Sequence, residues 1–214
     1  MRSDAMPKWA RLPRLLELAD AYDAFLVVDD AHGFGVTGDG RGSLAHFGIA
    51  SERIVYMATL GKAAGVAGAF VAAHPAVIDT LVQTARPYIY TTAPPPLLAA
   101  ALRVALAIIR DDAARRAHLA RLIAQFRKAA GNLPWSLLPS STAIQPLLVG
   151  DSGAAMDLAD ALRERGFWVP AIRPPTVPPG TARLRVSLSA AHSSDDVAAL
   201  ASALHSIAST AAST

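Results

Sequence analysis

One stretch constrains this chain more than any other: the apolar run Leu26-Val27-Val28 that ends in Asp29-Asp30-Ala31-His32-Gly33. Phe25 to Val28 holds no polar residue, which reads as a strand buried on both faces, as in a parallel sheet. Upstream, Leu12, Leu15, Leu16, Leu18 and Ala19 recur at helical spacing across Leu12 to Tyr22, so a helix feeds that strand. Downstream, Gly33, Gly35, Gly38, Gly40 and Gly42 predict an extended loop. A second short strand, Ile54 to Ala58, ends just before Thr59-Leu60-Gly61-Lys62. Helix, buried strand, loop and strand make the opening of an α/β fold.

Ala69 to Ala73 reads as a third strand, and Pro75 opens a helix through about Thr84. The prolines at 94–96 open an alanine-rich helix reaching Ile109, and another runs from about Asp112 to Ala130, stopped by Gly131-Asn132 and Pro134. The pattern then changes. Ile144 to Val149 is a strand, Gly153 to Arg165 a helix, and Trp168 to Ile172 a strand. Leu184 to Leu188 alternates with period two, and Ser193-Ser194-Asp195-Asp196 caps a last helix to about Ala208. The change of pattern places a domain boundary near residue 110, dividing 1–109 from 110–214.

Composition excludes several function classes. The net charge of +3 arises from scattered arginines, with lysine only at Lys8, Lys62 and Lys128, and no basic stripe interleaves with aromatics to bind nucleic acid. Cysteine is absent, so disulfides and thiolate metal sites are excluded, as fits a reducing compartment. Met1 to Pro7 holds no signal-peptide core, and the uncharged stretch between Arg86 and Arg103 is too broken by proline to span about 30 Å of bilayer. The expected location is the cytoplasm. The chain is 52% hydrophobic, much of it alanine. Compositional bias and apolar surface meant for a partner segment both account for this.

Two motifs are decoys. Gly33-Phe34-Gly35-Val36-Thr37-Gly38 matches a dinucleotide fingerprint, but Asp39-Gly40-Arg41-Gly42 follows where a helix should begin. Gly61-Lys62 suggests a P-loop, yet Tyr56 stands where its first glycine belongs and Ala63 where its hydroxyl belongs.

The remaining chemistry converges on pyridoxal phosphate (PLP), which needs an acid at its ring nitrogen and a lysine at its aldehyde. A carboxylate at the end of a buried strand is costly unless a cation meets it, and the protonated ring nitrogen would supply that cation for Asp29. Asp30 points to the opposite face by strand alternation and is read as structural. His32, just past the strand end, can reach the phenolic oxygen. The other histidines (His46, His74, His118, His192 and His205) show no metal-ligand spacing. Lys62 lies among Gly61, Ala63, Ala64 and Gly65, where backbone and cofactor can approach closely, and burial is expected to favour its neutral amine. Lys8 lies near the terminus and Lys128 on a solvated helix. Thr59 can hold the phosphate. Arg173, on the proline-stiffened loop Arg173-Pro174-Pro175-Thr176-Val177-Pro178, suits two-pronged capture of a carboxylate.

On Val28-Asp29-Asp30-Ala31-His32-Gly33-Phe34-Gly35, Gly40-Arg41-Gly42-Ser43, Thr59-Leu60-Gly61-Lys62, Tyr90-Thr91-Thr92, Ala143-Ile144-Gln145-Pro146-Leu147 and Gly180-Thr181-Ala182-Arg183-Leu184-Arg185, the chain resembles the α-oxoamine synthase family from about residue 10 to about 208. These are fold-type-I PLP enzymes, and Ile172 to Pro178 points to the biotin-pathway branch. The resemblance implies an α/β fold: part of a large PLP-binding domain with a mostly parallel sheet over 1–109, then a smaller C-terminal α+β domain over 110–214. It implies decarboxylative condensation of L-alanine with a pimeloyl thioester, carried on CoA or acyl carrier protein. Lys62, Asp29 and His32 become the catalytic residues, with Thr59, Thr91 and Thr92 at the phosphate and Arg173 with Thr176 at a substrate carboxylate. Because the Thr91-Thr92 segment typically serves the neighbouring subunit, a homodimer is implied.

The chain departs from the family in lacking the long amino-terminal half, which carries the ring-stacking histidine and several strands. Two alternatives therefore stand beside the synthase reading. One is a non-catalytic remnant or assembly subunit needing a full-length partner. The other is a sibling synthase using glycine or serine.

Overall fold

The computed structural model describes residues 11–211, so the readings of Met1 to Pro7 and of Lys8 lie outside the described residues. The chain divides into two compact units between Arg116 and Ala117. That division lies inside a helix, whereas the change of sequence pattern stands at 109/110.

In the first unit, helix α1 (Leu12–Ala21) leads into strand β1 (Leu26–Asp29), which pairs in parallel with β2 (Ile54–Thr59). Strand β3 (Ala69–Ala72) closes the sheet antiparallel to β2, giving the order β1-β2-β3. The expected mostly parallel sheet is thus one parallel and one antiparallel pair among the described residues. The second connection, a tight loop, returns the chain in the opposite direction without the long crossover that parallel pairing needs. The connection from β1 to β2 contains the glycine loop and the short helix α2 (Ser43–Phe47). Arg53, just before β2, pairs with Asp20 (3.2 Å) and Asp23 (2.7 Å) at the end of α1, tying the helix to the strand entry.

Pairing register decides which side chains share a face. Val28 pairs with Tyr56 and Asp29 with Met57, so alternation puts Val28, Tyr56, Ala58 and Phe70 on one face. The opposite face carries Val27, Asp29, Val55, Met57, Thr59 and Val71. The first face is the core: Val28, Ile54 and Ala58 are buried, and the Phe34 ring meets Phe70 edge-on at 5.2 Å. The second face is open, with Val27 67% and Val71 42% exposed. Among the described residues, the strand expected to be buried on both faces is therefore buried on one.

Helices α3 (Pro75–Thr84), α4 (Arg86–Ile89) and α5 (Pro96–Asp111) follow. Pro75 and Pro96 stand in the first helical turns, where a missing N–H costs nothing. His74 caps α3 by accepting the Ala76 N–H. Neither α3 nor α5 contains a fully buried residue. Helix α4 escaped the sequence reading because four residues are too few to show a period.

In the second unit, α6 (Ala113–Ala129) buries Leu119, Leu122, Ile123 and Phe126, the i, i+3, i+4, i+7 stripe of a core-facing helix. Strands β4 (Ser136–Leu137), β5 (Ile144–Gly150), β6 (Ala171–Ile172) and β7 (Ala182–Ser187) form an antiparallel sheet in the order β4-β5-β7-β6. Ala182, Leu184 and Val186 of β7 are buried while Arg183 and Arg185 between them are half-exposed, as the alternation predicts. The strand expected from Trp168 pairs only from Ala171. Pro170 has no N–H to give the ladder and contributes only its carbonyl, which accepts from Arg185 N at 2.9 Å. Helices α7 (Ser152–Glu164) and α8 (Ser194–Ala211) complete the unit. Asp151 caps α7 through Ala154 N (2.9 Å), and Ser193 and Asp196 cap α8 reciprocally.

Gln145, fully buried in β5, donates to Thr142 O (2.6 Å) and accepts from Arg127 Nη1 (2.7 Å), so its amide is satisfied at both ends. Phe126, with no exposed surface, is the largest side chain of this core. Phe126→Ala should lower unfolding free energy by about 3–5 kcal/mol in urea titration, the usual cost of emptying a core aromatic site.

Candidate active site at the carboxyl ends of two parallel strands

Because β1 and β2 run in the same direction, their carboxyl ends open at one edge of the sheet, where α/β proteins place ligands. Asp29 closes β1 and Thr59 closes β2, and register puts both on the open face. Lys62 follows in a loop that folds back on itself: Val66 N donates to Leu60 O (3.0 Å), Gly65 N to Lys62 O (3.1 Å), and Leu60 N to Gly68 O (2.9 Å). Leu60 and Ala64 are buried and anchor that loop. Lys62 Nζ donates to Thr59 Oγ1 at 3.1 Å. The amine, the hydroxyl and the carboxylate therefore belong to one face and one edge.

Asp29 is exposed, and its Oδ1 accepts the Ala31 N–H at 3.0 Å, while Oδ2 has no partner among the described residues. His32 is exposed in the turn that follows. The glycine loop passes directly against the lysine loop. A Cβ on Gly35 would lie 2.6 Å from the Ala63 Cβ, and Gly35 has φ +78°, so only glycine serves there. Lys62 is exposed rather than buried as expected, because its neighbours Gly61 and Ala63 are themselves exposed and lack the side-chain bulk to cover it.

No hydrogen bond joins Thr91 or Thr92 to Asp29, Thr59 or Lys62 among the described residues. Thr91 and Thr92, just after α4, are exposed, and their recorded bonds are local. Arg173 and Thr176 belong to the second unit, where Thr176 N donates to Arg173 O (3.0 Å) in a turn. The Arg173 guanidinium has no partner among the described residues and borders a cavity of about 210 Å³ lined also by Met156, Ala159, Trp168 and Val169. Among the described residues no cluster of acidic and histidine side chains could hold a metal ion.

Sequence reasoning missed the partners of Asp30. This carboxylate is 5% exposed and accepts from Ser43 N (2.7 Å), Ser43 Oγ (2.5 Å) and Tyr56 OH (2.8 Å). It faces away from Asp29, as alternation requires. The one available signal was the second acid itself, since a doubled carboxylate at the end of a buried strand needs donors from somewhere. Burial, and then the neighbouring Asp30 carboxylate, push the Tyr56 phenol above its ordinary range.

Residues 5–204 match the family model for class I and II aminotransferases, and the chain belongs to that family. It is 62% identical over 205 residues to 8-amino-7-oxononanoate synthase 2 of Polaromonas sp. strain JS666, covering 91% of this chain and 51% of that protein. The solved 8-amino-7-oxononanoate synthase of Francisella tularensis superposes with a TM-score of 0.79 at 31% identity, covering 91% of this chain and 58% of that one. A structure of SPT with PLP gives 0.82 at 25% identity, covering 92% and 51%. The chain thus spans about half the length of the curated relatives it matches. The fold-type-I architecture expected from sequence is shared with these structures.

Tyr56 sets an alkaline limit on stability. Its folded-state pKa lies above the free value of 10.0, so below that pH the phenol is neutral folded or unfolded and its bond to Asp30 contributes in full. Above it the unfolded chain ionises first, and stability falls as pH climbs. Denaturant midpoints measured from pH 9 to about pH 11.5 should decline more steeply in the parent than in Tyr56→Phe, since only the parent carries this titration.

Proposed function

We propose that this chain works as a PLP-dependent acyltransferase of the 8-amino-7-oxononanoate synthase type, condensing L-alanine with a pimeloyl thioester, with loss of carbon dioxide, in biotin biosynthesis. One observation carries the reading: Asp29, Thr59 and Lys62 lie on the same face at the carboxyl edge of β1 and β2. The residues fit the cofactor. Asp29 offers an unpartnered carboxylate oxygen for the ring nitrogen, Lys62 an accessible amine for the aldehyde carbon, and His32 an imidazole for the phenolic oxygen. Thr59, with Thr91 and Thr92 from a neighbouring subunit, offers hydroxyls for the phosphate. When bound, PLP supplies a ring that takes up the electron pair released at the α-carbon of the amino acid.

The chain's own groups supply the rest. The negative charge of Asp29 would keep a proton on the ring nitrogen of a cofactor held there. The Lys62 amine, beside the Thr59 hydroxyl, would serve both to hold the cofactor's aldehyde end and, as a free base, to take the α-proton of the amino acid. Arg173, a guanidinium with unused donors, holds a substrate carboxylate, with Thr176 in the same turn. Alanine is favoured over glycine or serine on the sequence of Ile172 to Pro178. The working assembly is a homodimer in the cytoplasm. Among the described residues no helix is long and apolar enough to cross a membrane.

Incubation with PLP, borohydride reduction and peptide mapping test the reading. The expected label is on Lys62, lost in Lys62→Ala; a parent chain labelled elsewhere or not at all overturns it.

A second reading has its own observation. The face that carries Asp29 and Thr59 exposes Val27 and Val71, and Phe25 beside it is 63% exposed. Apolar surface beside a site favours an assembly subunit that works against a covering chain. Size-exclusion chromatography with and without a complete synthase should then show a joint peak, and a lone well-folded monomer in both runs removes that reading.

A further inference from the structure

Asp30 is a buried carboxylate for which no ion pair is recorded among the described residues. Such a group costs several kcal/mol unless hydrogen bonds replace its water, and a set of strong donors makes it a rigid node. The three donors come from two places distant in sequence. Tyr56 lies in β2, and Ser43 opens α2 with both its N–H and its hydroxyl. The main chain of Asp30 is held as firmly. Its N–H donates to Met57 O (2.8 Å), and its carbonyl accepts from Gly33 N and Phe34 N (both 2.9 Å).

The glycine loop is wrapped onto this one side chain. A Cβ on Gly33 would fall 2.1 Å from Asp30 Oδ1, and one on Gly42 would fall 2.4 Å from Oδ2 and from the Tyr56 hydroxyl. No side chain fits at either position while the carboxylate stays where it is. The same loop contains His32 and touches the lysine loop at Gly35. Asp29 precedes Asp30 directly, and the Ala31 N–H that fixes the Asp29 carboxylate belongs to the peptide immediately after Asp30.

We propose that Asp30, with Ser43 and Tyr56, is the positioning group of the site: it clamps the end of β1 so that the Asp29 carboxylate keeps its free oxygen toward the open face and His32 stays in its turn. Asp30 itself touches nothing on that face and acts only through Asp29 and His32. The geometry of the clamp stands by itself, and its catalytic meaning rests on the PLP reading above.

The Ala31 amide reports the clamp directly, because its hydrogen bond is to Asp29. Hydrogen exchange at Ala31, followed by NMR on the full chain, is compared among the parent, Asp30→Asn, Tyr56→Phe, Ser43→Ala and Ser43→Thr. Amides of β7 in the second unit serve as the measure of general stability. Asp30→Asn and Tyr56→Phe should speed Ala31 exchange by about tenfold or more, as loss of a bond to a charged group predicts, with β7 protection unchanged. Ser43→Ala should do the same, and Ser43→Thr, which keeps the hydroxyl, should restore protection. PLP binding, titrated by its absorbance, should weaken by about tenfold in Tyr56→Phe and Asp30→Asn.

If Asp30→Asn fails to fold, Tyr56→Phe decides, since it removes one hydroxyl and keeps the ring against Phe70. Ala31 exchange within twofold of the parent in folded Tyr56→Phe overturns the proposal, as does parent-like PLP affinity in a variant whose Ala31 exchange has changed. A parent that takes up no PLP sinks the functional reading instead, and Ala31 exchange still decides whether the clamp exists.

Discussion

The site depends on the parallel pairing of β1 with β2. Parallel strands finish at the same edge, so one register, Asp29 opposite Met57, brings a carboxylate and the Thr59–Lys62 turn together across a gap of thirty residues of chain. An antiparallel arrangement would have put the acid and the lysine at opposite ends of the sheet. A shift of one residue would have moved Asp29 to the packed face and Asp30 to the open one. The two adjacent acids would then trade the solvated position for the buried one, and the donors at Ser43 and Tyr56 would face the wrong carboxylate.

The two faces of this sheet do different work. The packed face, with Val28, Ala58 and Phe70, gathers the glycine loop through the Phe34 ring and the Asp30 carboxylate. The open face carries Asp29 and Thr59 among apolar neighbours. An apolar face around a carboxylate and an amine is costly to leave in water, but it strengthens charge interactions once a planar ligand or another chain excludes the water. The same surface therefore supports both the cofactor reading and the need for a covering partner.

The second unit is stabilised differently. Three amphipathic helices and an antiparallel sheet bury stripes that each element carries in its own sequence, and its polar interior is limited to groups such as Gln145 whose donors and acceptors are met. Packing there follows period and capping. In the first unit, by contrast, the loop around Asp30 holds its shape through long-range hydrogen bonds and glycines that admit no Cβ.

Much of this was legible in the residues themselves. Period two in β7, period 3.6 in α6, the prolines opening α3 and α5, and the Ser193–Asp196 cap are local properties, and local sequence determines them. The opposition of Asp29 and Asp30 also follows from alternation alone, as does the placement of Asp29 and Lys62 beside successive strand ends. Tertiary structure decided what depends on distant partners: that β3 runs antiparallel, that Val27 faces solvent, that Pro170 delays β6, and that Lys62 is exposed. It also decided that Ser43 and Tyr56 meet Asp30. The physical reason is the same in each case. A strand's neighbour, a face's cover and a buried acid's donors are supplied from elsewhere in the chain, and no local pattern records which segment arrives.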